Sequence, residues 1–125
     1  MPHAPLAGKT VLVVEDELMI ALDIVDCLLQ AGAKVIGPCP SLEDARKIAR
    51  DGEVDLAILD IDLGGREVFP AARILGARGR PFLFYTGRPQ RDALETDFAG
   101  VPVCTKPMAT DRLIATLVRM TPVAA

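Results

Sequence analysis

The sequence predicts an α/β domain in which five parallel strands alternate with five helices. Short apolar runs rich in β-branched residues recur at intervals of about 20 to 25 residues, and longer segments of helical periodicity lie between them. This alternation is typical of βαβ units, whose right-handed crossovers place helices on both faces of a parallel sheet. The chain has 125 residues, of which 50% are hydrophobic and 25% charged, and this composition favours one globular domain.

The predicted strands are the five apolar runs. In chain order they comprise residues 11–14, 35–36, 56–59, 82–85 and 101–105. The first helix is predicted over residues 17–31, because Asp23, Asp26 and Gln30 mark one polar face at spacings of three and four. Gly32 is suited to end this helix.

Start and stop signals predict the other helices. Ser41 followed by Asp44 is similar to a capping box and opens the second helix, which Gly52 closes. The third helix is predicted to begin within residues 68–70, because Pro70 fits only the first turn of a helix. The fourth and fifth helices are predicted over residues 89–99, which have few apolar anchors, and residues 110–120.

The composition excludes several classes of function. Three cysteines without CxxC spacing and a single histidine provide too few ligands for a zinc site, and they indicate a reduced, cytoplasmic compartment. The net charge is −3 and the basic residues are dispersed, so no binding to nucleic acid is expected. No segment has the apolar length of a signal peptide or a membrane span, so no membrane association is expected either.

Polar residues follow four of the predicted strands at the point where each strand ends. Glu15 and Asp16 follow the first strand, Asp60 the third, Thr86 the fourth and Lys106 the fifth. In an open parallel sheet, a ligand site lies outside the carboxyl ends of the strands. Carboxylates suit Mg²⁺, whereas a hydroxyl and an ammonium group suit phosphoryl oxygens.

Each of these residues alone has a simpler structural interpretation. Asp16 can cap the first helix, Asp60 can lie in a loop, Thr86 can belong to a turn, and Lys106 can lead into the last helix. These interpretations stay open for the single residues. Their occurrence at four strand ends favours a joint site, because neighbouring carboxylates repel each other unless a cation holds them.

Taken together, the strand-end motifs resemble those of the receiver domain of two-component response regulators, the CheY-like superfamily. The resemblance covers residues 9–120. It implies a flavodoxin-like (βα)5 doubly wound parallel sheet with strand order 2-1-3-4-5, and an aspartate that accepts a phosphoryl group from a histidine kinase. The motifs are Glu15-Asp16, Asp60, Thr86-Gly87 and Lys106-Pro107.

The resemblance also implies a magnesium site. Asp60 is the expected phosphoacceptor and a ligand of Mg²⁺, which is the expected cofactor. Asp16 is implied as a direct ligand, Glu15 as a ligand through water, and Asp62 as the donor of a backbone carbonyl.

Further residues are implied to contact or control the phosphoryl group. Lys106 is expected to pair with it, and Pro107 is expected to follow a cis bond. Thr86 resembles the hydroxyl switch of the family, and Gly87 the small residue that keeps the site accessible. The implied chemistry is in-line transfer to a carboxylate nucleophile.

One position departs from the family pattern. Receivers commonly carry an aromatic residue three positions before the lysine, and this chain has Val103 there. Residues 81–87, PFLFYTG, are similar to the PFxFxTG signature of an alphaproteobacterial receiver subgroup. Members of that subgroup are often single-domain proteins, lack the aromatic residue, and have kinases of the HWE class as partners.

Two functions compete. The first is a stand-alone receiver over residues 1–125, with short tails and no effector domain, which is a phosphoprotein of a phosphorelay. It is expected not to be an enzyme, apart from accepting its own phosphoryl group and losing it slowly. Its expected phosphodonor is a sensor histidine kinase or a histidine phosphotransfer protein, and an unknown downstream protein is a further expected partner. The expected output is protein contact or onward phosphotransfer.

The alternative is an Mg²⁺-dependent phosphohydrolase with an aspartyl-phosphate intermediate. Asp62 has the spacing from Asp60 that haloacid-dehalogenase-like phosphatases use for a general acid. Those enzymes place their nucleophile after the first strand, however, and they usually carry a cap over the substrate.

Two expectations concern the mouth of the site. Asp62 and Arg88 are predicted to form an ion pair across it. Residues 88–99 are predicted to be mobile without phosphate and to become ordered on phosphorylation, because few apolar side chains anchor them.

Overall fold

The computed structural model describes residues 4–121 and confirms the parallel α/β fold. The strands are β1 (Thr10–Val14), β2 (Lys34–Cys39), β3 (Leu56–Leu59), β4 (Asp62–Leu63), β5 (Arg66–Glu67), β6 (Phe82–Thr86) and β7 (Val103–Thr105). The helices are α1 (Leu18–Gln30), α2 (Leu42–Asp51), α3 (Phe69–Ala77), α4 (Asp92–Glu95) and α5 (Thr110–Met120).

Five of the strands form one parallel sheet in the order β2-β1-β3-β6-β7. This is the predicted order 2-1-3-4-5, since β6 and β7 are the fourth and fifth strands of that sheet. The remaining two, β4 and β5, form a short antiparallel hairpin directly after β3, which was not predicted. Gly64 and Gly65 make its turn at φ values of 58° and 87°, a conformation that favours glycine.

The sheet is buried on both faces, as its continuous apolar strands predict. Alternate residues of β1 point to opposite sides, so that Leu12 and Val14 pack in one core cluster and Val11 and Val13 in the other. Helices α2 and α3 cover the first cluster, and α1 and α5 cover the second. No helix within residues 4–121 is long and apolar enough to cross a membrane.

The largest differences from the predicted elements occur at the fourth helix and at the second strand, which covers Lys34–Cys39 instead of residues 35–36, and the fifth strand is two residues shorter than predicted. Helix α4 covers only Asp92–Glu95, because Leu94 is its single buried side chain. Strand β7 begins at Val103, since Pro102 lacks an N–H group for the ladder.

An aromatic cluster holds the chain after α4 to the rest of the fold. The ring of Phe98 lies 5.3 Å from the rings of Phe69 on α3 and Phe84 on β6, measured between centroids. Phe82 lies 6.2 Å from the same ring. The far end of the predicted fourth-helix region is therefore anchored in the core, although it is not helical.

Candidate functional site

Three buried polar side chains meet at the carboxyl end of the sheet. Among the described residues, Glu15, Asp60 and Thr86 are the buried residues with a polar or charged side chain, and Glu15 and Asp60 are only 3% and 4% exposed. Burial of an unpaired carboxylate is unfavourable, so a cation or a bound proton must compensate these groups.

The parallel register of β1 and β3 places the two buried carboxylates side by side. Val14 and Leu59 are paired in the sheet, and the Asp60 N–H donates to the Val14 carbonyl at 2.8 Å. Glu15 and Asp60 are the next residues of their strands, so both leave the sheet at the same point. The sheet itself thus determines their proximity.

Lys106 supplies the cation. Its Nζ lies 2.8 Å from Glu15 Oε1 and 3.4 Å from Asp60 Oδ2. Its backbone N–H donates to the Thr86 carbonyl at 2.8 Å, which attaches the lysine to the end of β6. The bond between Lys106 and Pro107 is cis, as the family resemblance implies.

The acidic cluster fits a divalent cation. Glu15, Asp16 and Asp60 each offer a carboxylate oxygen, and these three oxygens lie within 4.8 Å of one another. Asp16 is exposed and accepts a hydrogen bond from the Gly64 N–H at 3.3 Å. Three carboxylates face one ammonium group, so the donor set is one of hard oxygens with an excess of negative charge, which suits Mg²⁺.

An open cleft of about 430 Å³ lies over this cluster. A side chain on Gly87 would project into open space, so its absence leaves the mouth of the cleft clear. Thr86 Oγ1 accepts the Arg88 N–H at 3.0 Å. The cleft is lined by Asp16, Glu17, Asp60, Asp62, Gly64, Gly65, Gly87, Arg88 and Lys106.

Without a metal, the electrostatics favour a proton on Asp60. Burial and then the neighbouring Glu15 raise the pKa of Asp60 to about 8, although Lys106 acts in the opposite direction. Burial acts to lower the pKa of Lys106, but the hydrogen bond to Glu15 and the charges of Asp60 and Glu15 outweigh it, so that this pKa is raised. The lysine is therefore charged throughout the physiological range.

The raised pKa of Asp60 predicts a pH-dependent stability in the absence of Mg²⁺. Between the unfolded pKa of 3.8 and the folded value of about 8, the native state binds a proton that the unfolded state releases. The free energy of unfolding should therefore fall as pH rises through this window. Asp60→Asn removes this contribution, and near pH 8 it should be more stable than the unsubstituted protein by about 1–3 kcal/mol.

Urea denaturation of both proteins in a chelator, at about pH 5 and about pH 8, checks this expectation. The difference between the two proteins should grow with pH, and Mg²⁺ should reduce it by binding the ionised carboxylate. A difference that is the same at both pH values would contradict the assignment of the raised pKa.

The ion pair expected between Asp62 and Arg88 is not present, and that prediction was wrong. Arg91 contacts Asp62 instead, through Nη2, and its Nη1 lies 2.7 Å from Glu67 Oε2. Arg88 lines the cleft, with its N–H bonded to Thr86. Arg91 was missed because its partners come together only in the hairpin of β4 and β5.

Tyr85 packs in the core between β6 and the loop before α5. Its hydroxyl donates to the Met108 carbonyl at 3.2 Å and accepts the Met108 N–H at 3.1 Å. Lys106 Nζ lies 5.5 Å from the centre of its ring. Val103, at the position where receivers commonly have an aromatic residue, is exposed at the start of β7.

Tyr85→Phe should therefore lower the free energy of unfolding by about 1–2 kcal/mol, because it removes two hydrogen bonds and leaves the Met108 backbone without its partner. Urea denaturation measures the change. Stability equal to that of the unsubstituted protein would mean that the hydroxyl contributes nothing in this position.

An apolar stripe on α1 begins next to the cleft. Leu18, Leu22 and Leu29, which we call the α1 stripe, are exposed and separated by four and seven residues, so they share one face of the helix. Met19 beside them is 76% exposed. Leu18 follows Asp16 by two residues, which places the first leucine at the edge of the cleft.

Comparison with curated proteins finds a relative that covers most of this chain. The chain is 29% identical over 109 residues to the transcriptional regulatory protein PdtaR of Mycobacterium tuberculosis. The match covers 85% of this chain and 53% of PdtaR, so the chain spans about half the length of that relative. No protein-family model matches the chain.

Solved structures resemble nearly the whole chain. The receiver domain of the response regulator PhyR from Erythrobacter litoralis is 25% identical with a TM-score of 0.79, over 95% of this chain and 98% of that one. SdrG from Sphingomonas melonis Fr1 is 34% identical with a TM-score of 0.75, over 90% and 94%.

A third similar structure contains a metal. It is the receiver domain of the sensor histidine kinase PA1611 from Pseudomonas aeruginosa PAO1, which is 24% identical with a TM-score of 0.76, over 91% of this chain and 98% of that one. Its crystal structure has a magnesium ion coordinated in the active-site cleft.

Proposed function

Since this chain belongs to the receiver domains of two-component response regulators, we propose that Asp60 is the residue on which it accepts a phosphoryl group. The main support is the meeting of Asp60, Glu15 and Thr86, all buried, with Lys106 at the open end of the sheet. Few other arrangements explain why a fold of this size buries two carboxylates beside each other.

Asp60 acts as the nucleophile in this proposal. One carboxylate oxygen attacks phosphorus as the bond from phosphorus to the donor's leaving group breaks, in line, and the product is an acyl phosphate. The ammonium group of Lys106, 3.4 Å from Asp60 Oδ2, is placed to hold the charge of the transferred oxygens. The Thr86 hydroxyl can donate to the same oxygens after rotation.

Mg²⁺ is the proposed cofactor, held by the carboxylates of Asp16 and Asp60, by Glu15 through water, and by the backbone carbonyl of Asp62. A bound Mg²⁺ supplies positive charge that neutralises the phosphoryl oxygens. The cluster of three carboxylate oxygens and the magnesium ion in the PA1611 receiver domain support this assignment. Asp60 reacts as a carboxylate, so metal-free protein, in which its pKa is about 8, should be a poor acceptor near neutral pH.

Asp16→Asn should weaken Mg²⁺ binding about tenfold, because it removes one negative charge from the ligand set. Titration with Mg²⁺, followed by calorimetry or by amide shifts, measures the change. An unaltered affinity would exclude Asp16 as a direct ligand.

The α1 stripe is the proposed docking surface for the protein that donates the phosphoryl group. That donor must bring a phosphohistidine into the cleft, and the stripe begins at the cleft edge with Leu18 and continues along α1. A helix with its own apolar face is the complementary partner for such a row of leucines. A sensor histidine kinase or a histidine phosphotransfer protein would provide this helix. The kinase would be of the HWE class if the PFLFYTG segment reflects the receiver subgroup.

The phosphohydrolase alternative has less support. Its general acid would be Asp62, but that carboxylate is held by the guanidinium of Arg91. The family to which the chain belongs is one of signalling domains. In the proposed function, residues 9–120 form the core of one receiver domain. Its output is contact with another protein or onward transfer of the phosphoryl group.

Phosphotransfer assays decide between these functions. The protein should be labelled by histidine kinases, and by acyl phosphate or phosphoramidate, only when Mg²⁺ is present. Turnover of a simple phosphate ester with Mg²⁺ would favour the hydrolase instead. A failure of every small phosphodonor and every kinase to label the protein would refute the receiver function of this chain.

A further inference from the structure

The guanidinium group of Arg91 joins three segments around the cleft. Nη2 contacts Asp62 on β4, Nη1 lies 2.7 Å from Glu67 on β5, and Nε donates to the Arg88 carbonyl at 2.9 Å. The Arg91 side chain is only 11% exposed, whereas most arginines on a small domain extend into solvent. All three nitrogens of the group are therefore in use, in the planar geometry that suits arginine to two carboxylates at once.

These contacts tie two opposite sides of the cleft together. Asp62, Gly64 and Gly65 line the cleft from the hairpin, and Gly87 and Arg88 line it from the chain after β6. The hairpin is held on its other side by Asp16, which accepts the Gly64 N–H. Asp16 and Arg91 therefore hold two sides of the β4–β5 hairpin by polar contacts, while Leu63 packs in the core.

The chain that carries Arg91 has little stability of its own. Helix α4 has four residues, and Leu94 is its one buried side chain. Short elements with few buried contacts open readily, so single contacts at their ends decide their position. The hairpin likewise has two pairs of residues and no strand of the main sheet beside it. Leu63 anchors the hairpin in the core and Phe98 anchors the segment after β6, and Arg91 joins the two segments beside the cleft.

We propose that Arg91 is a positioning residue for the phosphoryl chemistry of Asp60. It keeps Asp62 and Gly64 beside Asp16 and limits the width of the cleft through which water reaches the acyl phosphate. This inference rests on the proposed function. Arg91 does not line the cleft, so it acts on the phosphoryl chemistry through Asp62 and Gly64, which do. Arg91 makes the ion pair with Asp62 that the sequence suggested for Arg88.

Arg91→Ala should weaken Mg²⁺ binding about tenfold and shorten the half-life of the phosphorylated protein about tenfold. Loss of a residue that orients metal ligands typically lowers metal affinity or activity by about 10-fold to 100-fold, and we expect the lower end of this range. Without metal, amide hydrogen exchange at Gly64 should become faster, because the hairpin loses both of its ion pairs with Arg91. Arg91→Lys should recover only part of each effect, since an ammonium group cannot hold Asp62 and Glu67 in the same planar geometry.

Arg73→Ala is the matched control. Arg73 on α3 pairs with Asp97 at 3.1 Å and lies over the Phe98 ring, so it attaches the other end of the same segment and makes no hydrogen bond or ion pair with the hairpin. A purely structural role for Arg91 would make both alanine variants alike in melting temperature, Mg²⁺ affinity and half-life. The proposal requires that only the Arg91 variants change the last two quantities and the exchange at Gly64.

The outcomes separate this inference from the proposed function. If small phosphodonors label the unsubstituted protein and Arg91→Ala behaves as Arg73→Ala does, the inference is wrong and the function stands. If the unsubstituted protein is not labelled, the function fails, while Mg²⁺ affinity and Gly64 exchange still decide the positioning role. Should Arg91→Ala fail to fold, Glu67→Gln, which weakens the contact outside the cleft, must show the same changes to a smaller extent.

Discussion

Asp60→Asn is expected to abolish phosphorylation by acyl phosphates, phosphoramidate and histidine kinases. The amide has no anionic oxygen to attack phosphorus, so the loss should be complete rather than partial. The fold should remain, because the asparagine is nearly the same size and removes a buried charge whose ionisation is unfavourable. Labelling with a radioactive phosphodonor, or intact-protein mass spectrometry, detects the change.

Asp62→Asn is the control for this substitution. It makes the same change two residues away, at the mouth of the cleft, and it leaves both the nucleophile and Lys106 intact. This variant should still be labelled, although its phosphoryl half-life can change through Arg91. Label that persists in Asp60→Asn on another residue would overturn the assignment of the phosphoacceptor.

Leu22→Glu should lower the rate of phosphotransfer from a histidine kinase at least about tenfold, while leaving labelling by small phosphodonors unchanged. The glutamate would place an unpaired carboxylate in the middle of an apolar interface, which costs more than about 1.4 kcal/mol of binding, or a factor of ten. Leu22 lies in the middle of the α1 stripe and outside the cleft. A comparison of the kinase with small phosphodonors therefore distinguishes a loss of docking from a loss of phosphoryl transfer. The measurement is the initial rate of labelling at kinase concentrations below saturation.

Val103→Glu is the control for the loss of an exposed apolar side chain. Among the described residues, Val103 is the exposed large hydrophobic residue outside α1, and it lies at the start of β7, away from the carboxyl end of the sheet. Transfer from the kinase should be unaffected in this variant. An equal loss in both variants, or a loss of labelling by small phosphodonors in Leu22→Glu, would contradict the docking surface.

Much of the fold follows from local patterns that tertiary contacts do not override. Ser41 accepts the Asp44 N–H as the N-cap of α2, Gly52 follows its last turn, and Pro70 lies in the first turn of α3, all as predicted. Residues 56–59 and 110–120 form β3 and α5 with the predicted bounds. These signals are local because caps, prolines and short apolar runs act within a few residues of themselves.

The candidate site was predictable for a different reason. Parallel strands end at one edge, so residues that follow them must gather there whatever the loops do. Glu15, Asp60, Thr86 and Lys106 do meet, and Asp16 and Asp62 line the same cleft. Their individual roles in metal binding and phosphoryl transfer stay predictions.

The features that were missed depend on contacts between distant segments. The hairpin has only two residues in each strand, too few for alternation to be recognised, although the Gly64-Gly65 pair is a typical turn signal. Arg91 is 29 residues from Asp62, and nothing in the spacing distinguishes it from Arg88. The mobility predicted for residues 88–99 stays a prediction, since their ordering on phosphorylation requires hydrogen exchange on the modified protein.

The aromatic cluster around Phe98 determines how far a change at the cleft can travel. Because Phe98 is held by rings from α3 and β6, the chain that follows α4 is attached to the core at this residue, and a displacement of residues 88–95 should stop there. We therefore expect any surface remodelled by phosphorylation to lie on the cleft side of this anchor, within residues 88–95. A partner that reads the phosphorylated state through this segment must therefore sit close to the cleft, within reach of residues 88–95.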